Sequence, residues 1–224
     1  MARRAGGRPS RLTHEEIVRE AWALLDADGL DGFSMRRLAA RLEVAAMTIY
    51  RYFPSQDALF DAVVDHGAHQ FDLSTGDGPW RQQLTDLFRL LRRALARHPF
   101  LVELRLRRPM VSQGALRFTE AGYHVMRQAG FTSAEIPWAF RNLLTFTFGH
   151  AGFGPHDTEE ERRDTLASLV VLSPQDYPAL TDASAAIVAS LDGDALFERG
   201  LELLLDALED RLGSRTRPPD PPTL

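Results

Sequence analysis

The chain has 224 residues, of which 44% are hydrophobic, so it can bury a sizeable core in one large domain or two small ones. It holds no cysteine, which excludes disulfides, thiolate metal sites and cysteine nucleophiles, and no apolar run approaches the roughly 20 residues of a membrane span. The net charge of −5 conceals a polarity: residues 1–53 carry nine arginines against seven acids, and the remainder carries 17 against 24. A basic leading end and an acidic body suit a cytoplasmic protein with one end made for nucleic acid.

The opening residues MARRAGGRPSR hold Arg3, Arg4, Arg8 and Arg11 with no acid, and residues 1–12 are expected to form a flexible basic arm. Thr13 followed by Glu16 is a capping-box pattern that starts a first helix. Ile17, Ala21, Leu24 and Leu25 give it a buried face, and Gly29 and Gly32 end it. Ser34 starts a short helix, Met35 to Arg41, and a third runs from about Ala45 to Tyr52, where Pro54 stops it. Ser55 caps a fourth, about Gln56 to Phe71.

After a loop, a helix of about 18 residues begins at Trp80, marked by Leu84, Leu87, Leu91 and Leu95. Two His/Arg–Pro pairs bracket a short helix between Pro99 and Arg108, and another fills about Ser112 to Gln128. Ser133 is expected to cap a long helix through about Gly149, with Pro137 in its first turn. An acidic, polar stretch, His156 to Asp164, precedes a mixed helix to about Leu172, and a helix around Pro178 to Leu191 comes next. The last, about Ala195 to Leu212, sets Phe197, Leu201, Leu204 and Leu208 in an a/d seam that should bury against another helix. Residues 213–224, with four prolines, are expected to be a disordered tail. The fold class is all-α.

The informative segment is SMRRLAARLEVAAMTIYRYF, Ser34 to Phe53. Two short helices across a tight turn, packed through Leu38, Leu42, Val44 and Ile49, leave the start of the second free to enter a major groove. Over about residues 8–65 this region resembles the tetracycline-repressor (TetR) family of bacterial regulators. The resemblance rests on the GRP start, DGLDGFS, LAARL and TIYRYFPSQDAL. Weaker similarity to the tetracycline-repressor branch itself continues in Gly130-Phe131, FTFG at Phe146 to Gly149, and FERGLELLLDALE at Phe197 to Glu209.

The resemblance implies a three-helix helix-turn-helix DNA-binding domain over 13–72 and a helical effector-binding and dimerisation domain over 79–212. It assigns Arg36 to base contact and Ser34 to phosphate, Ala46, Met47 and Thr48 to base-facing positions, and Tyr50 and Tyr52 to the sugar-phosphate backbone. Arg37 and Arg51 are further phosphate candidates; Tyr52 and Phe53 could instead pack on the first helix. Where the family commonly has glycine in the turn stands Glu43, which would bear about 1 kcal/mol in a left-handed conformation or else reshape the turn. Gln56 replaces a basic residue often found at the fourth helix.

An effector pocket is expected from Leu87, Leu91, Leu104, Met110, Phe118, Tyr123 and Phe146, with Arg105, Glu120 and Asn142 as polar contacts. Where the branch has a metal-binding histidine stands Leu104, so a hydrophobic or aromatic effector is expected rather than tetracycline. The dimer interface is assigned to Phe197, Leu201, Leu204 and Leu208, because in that family the helices bearing the last two matching pieces form a four-helix bundle. The expected partners are a palindromic double-stranded operator, a small-molecule effector and a second copy of the chain, with no membrane. No cofactor, metal site or catalytic residue is expected. His66 and His69 lack a third ligand, His150 and His156 flank no phosphate loop, and no nucleophile elbow occurs. The rival reading is a helical small-molecule carrier or enzyme whose N-terminal domain is only a packing module.

Overall fold

The computed structural model describes residues 12–69, 73, 76–108, 111–153 and 159–216. Met110, His156, most of the basic arm and residues 217–224 lie outside them. Twelve helices and no strand are found among the described residues, so the chain is all-α. They form two compact units, one of residues 1–72 with 98–118 and one of residues 73–97 with 119–224. The expected linear division differs at 98–118, which fold with the leading residues rather than with the body.

In the first unit α1 (His14–Gly32) starts at a complete capping box. Thr13 Oγ1 accepts from Glu16 N at 3.2 Å, while the Glu16 carboxylate accepts from Thr13 N at 2.8 Å. That backbone hydrogen bond, joined by one from the Thr13 hydroxyl, holds the Glu16 carboxyl below the ordinary carboxylate value. Ile17, Ala21, Leu24 and Leu25 are buried as their spacing predicts. The break falls at Gly29, whose φ of 64° suits a residue without Cβ. It frees Leu30 N–H from its helical partner, and Glu103 Oε2 accepts it at 3.2 Å.

Helices α2 (Met35–Arg41), α3 (Ala46–Tyr52) and α4 (Gln56–His69) follow at the expected places. Trp22 lies so close on Gly67 of α4 that a Cβ there would meet its ring at 2.4 Å. The short helix α6 (Phe100–Arg107) buries Phe100, Leu101, Val102 and Leu104 and packs against α1. Polar straps hold the 98–118 segment down. His98 Nδ1 lies 2.8 Å from Asp26 Oδ1, Arg107 pairs with Asp31 at 2.7 Å, and Arg108 with Asp61 at 3.0 Å. Gly114 N, at the start of α7 (Gln113–Gln128), donates to Asp65 at 2.6 Å.

In the second unit α5 (Trp80–Arg97) and α8 (Ile136–Gly152) pack Leu84, Leu87 and Phe88 against Phe140 and Leu143. The Phe88 and Phe140 ring centroids are 5.4 Å apart, and Gly122 of α7 makes room for the same Phe140. α8 starts three residues after the expected Ser133 cap. Glu135 is the reason: its carboxylate accepts from Thr132 N and Oγ1 at 3.0 and 2.7 Å, which turns the chain before the helix begins. The expected helix over 178–191 is two, α10 (Pro178–Asp182) and α11 (Ser184–Ala189), after α9 (Glu159–Val170).

α12 (Gly193–Thr216) continues past Leu212, so residues 213–216 are helical rather than tail. Its seam corrects an expectation. Phe197 and Leu201 are fully buried within the protomer, Leu205 joins them, and Leu204 and Leu208 are only half-buried. Phe197 stacks on Phe146 of α8 at 5.5 Å and lies under the Arg92 guanidinium at 5.0 Å. Arg81 pairs with Asp206 and Glu209, Arg89 with Glu198 at 2.7 Å, and Arg92 with Asp194, tying α5 to α12. An a/d pattern states that a helix is covered, not by which chain.

Candidate nucleic-acid interface

Ser34 caps α2 with its side-chain oxygen, which accepts from Arg37 N at 3.2 Å. Met35, Leu38 and Ala39 bury one face and leave Arg36, Arg37 and Arg41 outside. The end of α2 is a Schellman turn: Glu43 N donates to Ala40 O at 3.2 Å and Val44 N to Ala39 O at 2.9 Å. Such a turn needs a left-handed residue at Glu43, and Glu43 has φ 55°. The turn is therefore not reshaped around the missing glycine; Glu43 bears the strain.

α3 is anchored by Ile49, which is fully buried, and by Phe53 just beyond its end. With those two residues inward, Met47, Tyr50 and Arg51 face solvent; Met47 is 72% exposed and Tyr50 42%. Ala46 and Thr48 are half-exposed at the leading edge. No side chain caps the start of α3 at Ala45.

The arginines are sorted by their neighbours. Arg36 and Arg51 are exposed and carry no ion pair among the described residues. Arg37 is engaged, with Nη2 on Asp28 at 2.7 Å and Nη1 on the Gly32 carbonyl, and Arg41 pairs with Glu20. Tyr52 is also engaged: its hydroxyl donates to Leu12 O, and its ring stands edge-on to His14 at 4.9 Å. His14 touches Phe53 too, at 5.2 Å. His14 carries no sequence signal of this role: one residue after the cap, it meets Tyr52, which lies 38 residues further along the chain.

The residues expected to line one pocket do not share one unit. Leu104, Arg105 and Phe118 belong to the first, and Leu87, Leu91, Glu120, Tyr123, Asn142 and Phe146 to the second. Leu104 is buried against α1, while Arg105, Glu120 and Asn142 point to solvent. Tyr123 meets Phe140 edge-on at 5.3 Å, and Phe146 packs on Phe197 and Gly200. An open cleft of about 440 Å³ lies elsewhere in the second unit, between Gly76–Gly78, Trp80, Gln83 and the His124–Ala129 end of α7. Among the described residues no cluster of three His, Cys, Asp or Glu could hold a metal ion, and no helix is long and apolar enough to cross a membrane.

Two family models match the chain. "Bacterial regulatory proteins, tetR family" covers residues 17–63, and "Tetracyclin repressor-like, C-terminal domain" covers residues 74–212. The chain is 32% identical to the HTH-type transcriptional repressor DrrR1 of Streptomyces coeruleorubidus, over 94% of its own length and 84% of that protein. It is 30% identical to the class C tetracycline repressor protein of Escherichia coli, over 89% and 92%. Among solved structures, ActR of Streptomyces coelicolor in complex with actinorhodin superposes with a TM-score of 0.81 at 28% identity, over 91% of this chain and all of that one.

Proposed function

The chain belongs to the tetR family of bacterial regulatory proteins, and from that premise we propose that it is a homodimeric repressor that a small molecule releases from a palindromic operator. One observation carries the reading. The leading edge of α3 stands outward beside Arg36, which carries no ion pair among the described residues, the arrangement a recognition helix needs to reach base edges. Arg36, Ala46, Met47 and Thr48 read bases, the first by bidentate pairing with guanine. Ser34, Tyr50 and Arg51 hold phosphates. Arg37 is reassigned: bound to Asp28 and the Gly32 carbonyl, it sets the angle between α1 and α2 rather than holding a phosphate.

The dimer face is moved to the outer sides of α8 and α12. Trp138 on the first, Phe153 just beyond its end, and Leu196 and Leu203 on the second are half or more exposed, an apolar surface that a second copy would cover. Leu204 and Leu208 lie at its margin. Two heads then meet successive major grooves, about 34 Å apart.

Among the relatives, the TetR family protein ActR is seen in complex with actinorhodin, and the class C repressor is named for tetracycline. For this chain the effector is a hydrophobic or aromatic molecule, held in the second unit around Leu87, Leu91, Tyr123 and Phe146. For 100-fold release it must favour the off-state by about 2.7 kcal/mol. A mobility-shift titration against the DNA flanking its own gene tests the core of this proposal. Specific binding that weakens with salt is expected; a carrier or enzyme would show none, and that result would end the reading.

A further inference from the structure

We infer that Tyr52 does not hold a phosphate but positions the basic arm, fixing where the arm leaves the protein next to the recognition helix. The inference rests on the DNA-binding reading above and goes beyond it. Tyr52 closes α3, and its hydroxyl oxygen lies 2.5 Å from Leu12 O, to which it must donate because a carbonyl has no proton to offer. A phenol has one proton. With that proton on Leu12, the oxygen presents only lone pairs outward, and phosphate oxygens are acceptors themselves.

The ring is fixed as well. His14 stands edge-on to Tyr52 and to Phe53, so α1's first turn and the end of α3 share one aromatic contact. Leu12 is held by Tyr52, and the next residue, Thr13, by the capping box. The main chain is thus pinned at two consecutive residues. Immediately before them the sequence places Arg3, Arg4, Arg8 and Arg11 without an acid.

The distances fit a groove-spanning device. α3 has seven residues, about 10 Å, so the pinned point lies about that far from the base-facing edge. Residues 1–11, fully extended, span at most about 40 Å. Pinning the origin raises the effective concentration of four guanidinium groups at the phosphates flanking the bound groove. Arg36 and Arg51 then contact the DNA from the helices, and the arm adds charge from a fixed starting point.

The test is a thermodynamic cycle on the full chain, using Tyr52→Phe, the quadruple Arg3/Arg4/Arg8/Arg11→Ala variant, and both together. Binding to an operator duplex selected with the wild-type protein is titrated at several salt concentrations. Tyr52→Phe should lose about three- to tenfold in affinity, the range of one neutral hydrogen bond, and should flatten the salt dependence. In the arm-neutralised background the same substitution should change affinity less than twofold. Equal loss in both backgrounds would mean a direct phosphate contact and overturn the inference, as would no loss in either. Unchanged melting of Tyr52→Phe separates positioning from folding. A wild-type protein that selects no operator would sink the DNA-binding reading itself, whereas normal selection with an additive cycle removes only the role of Tyr52.

Discussion

Replacing Glu43 by glycine should stabilise the protein, although it deletes a side chain. Glu43 is the only non-glycine residue with positive φ among those described, and it is exposed. An L-residue in that conformation carries about 1–2 kcal/mol of strain, because Cβ crowds the carbonyl oxygen. Glycine removes the strain but loses about 0.4–1 kcal/mol through the greater freedom of the unfolded chain. The net gain is about 0.5–1 kcal/mol, or about 1–4 °C in melting temperature for a chain of this size. Glu43→Ala is the control, since it removes the same charge and keeps the Cβ. Thermal melts followed by circular dichroism should place Glu43→Gly above both wild type and Glu43→Ala. If Glu43→Gly melts at or below Glu43→Ala, the turn holds no such strain and the argument from φ is wrong. The Schellman bonds from Glu43 N and Val44 N should survive in Glu43→Gly, giving amide exchange at Val44 no faster than in wild type.

Arg36→Ala should cost about 1–3 kcal/mol of operator affinity with little change on random duplex, by titration at one salt concentration; equal loss on both would remove its base-reading role. Arg37→Ala should instead lower the melting temperature by loosening α1 from α2, and direct loss of operator contacts without a change in melting would contradict its assignment. Phe197→Ala should destabilise the fold by about 3–5 kcal/mol in urea denaturation, since the ring is fully buried within the protomer. Leu203→Glu should leave denaturation of the protomer nearly unchanged and yield monomers in sedimentation velocity; a dimer that persists would rule out the α12 face. Glu16→Gln tests the capping box across pH. The folded-state pKa of Glu16 is depressed, so its contribution is present above the ordinary carboxylate value and is lost as pH falls through the folded value. Wild type and variant should therefore differ in melting temperature near neutrality and converge in acid.

Much of the fold and part of the site can be read from residue order alone, because the signals are local. Thr13 with Glu16, Ser34 before Met35, Pro54 after Phe53 and the 3.6-residue spacing of Leu84, Leu87, Leu91 and Leu95 each act within one or two turns. Signals of this kind place α1 to α8 to within a few residues. The same locality made Met47, Tyr50 and Arg51 legible as an outward edge once Ile49 is taken as the inward one. Residue order is silent where the decision lies between residues distant in sequence. That Arg37 is taken by Asp28 and Gly32, and Tyr52 by Leu12, depends on how α1 crosses α2 and α3. That residues 98–118 fold with the head depends on His98, Glu103, Arg107 and Arg108 finding partners in the first 65 residues. Whether the α12 seam faced inward or toward another chain turned on Phe146 and Arg92 occupying Phe197. Periodicity says which face of a helix avoids water; only packing in three dimensions chooses what covers it, because burial is non-directional and any apolar neighbour satisfies it.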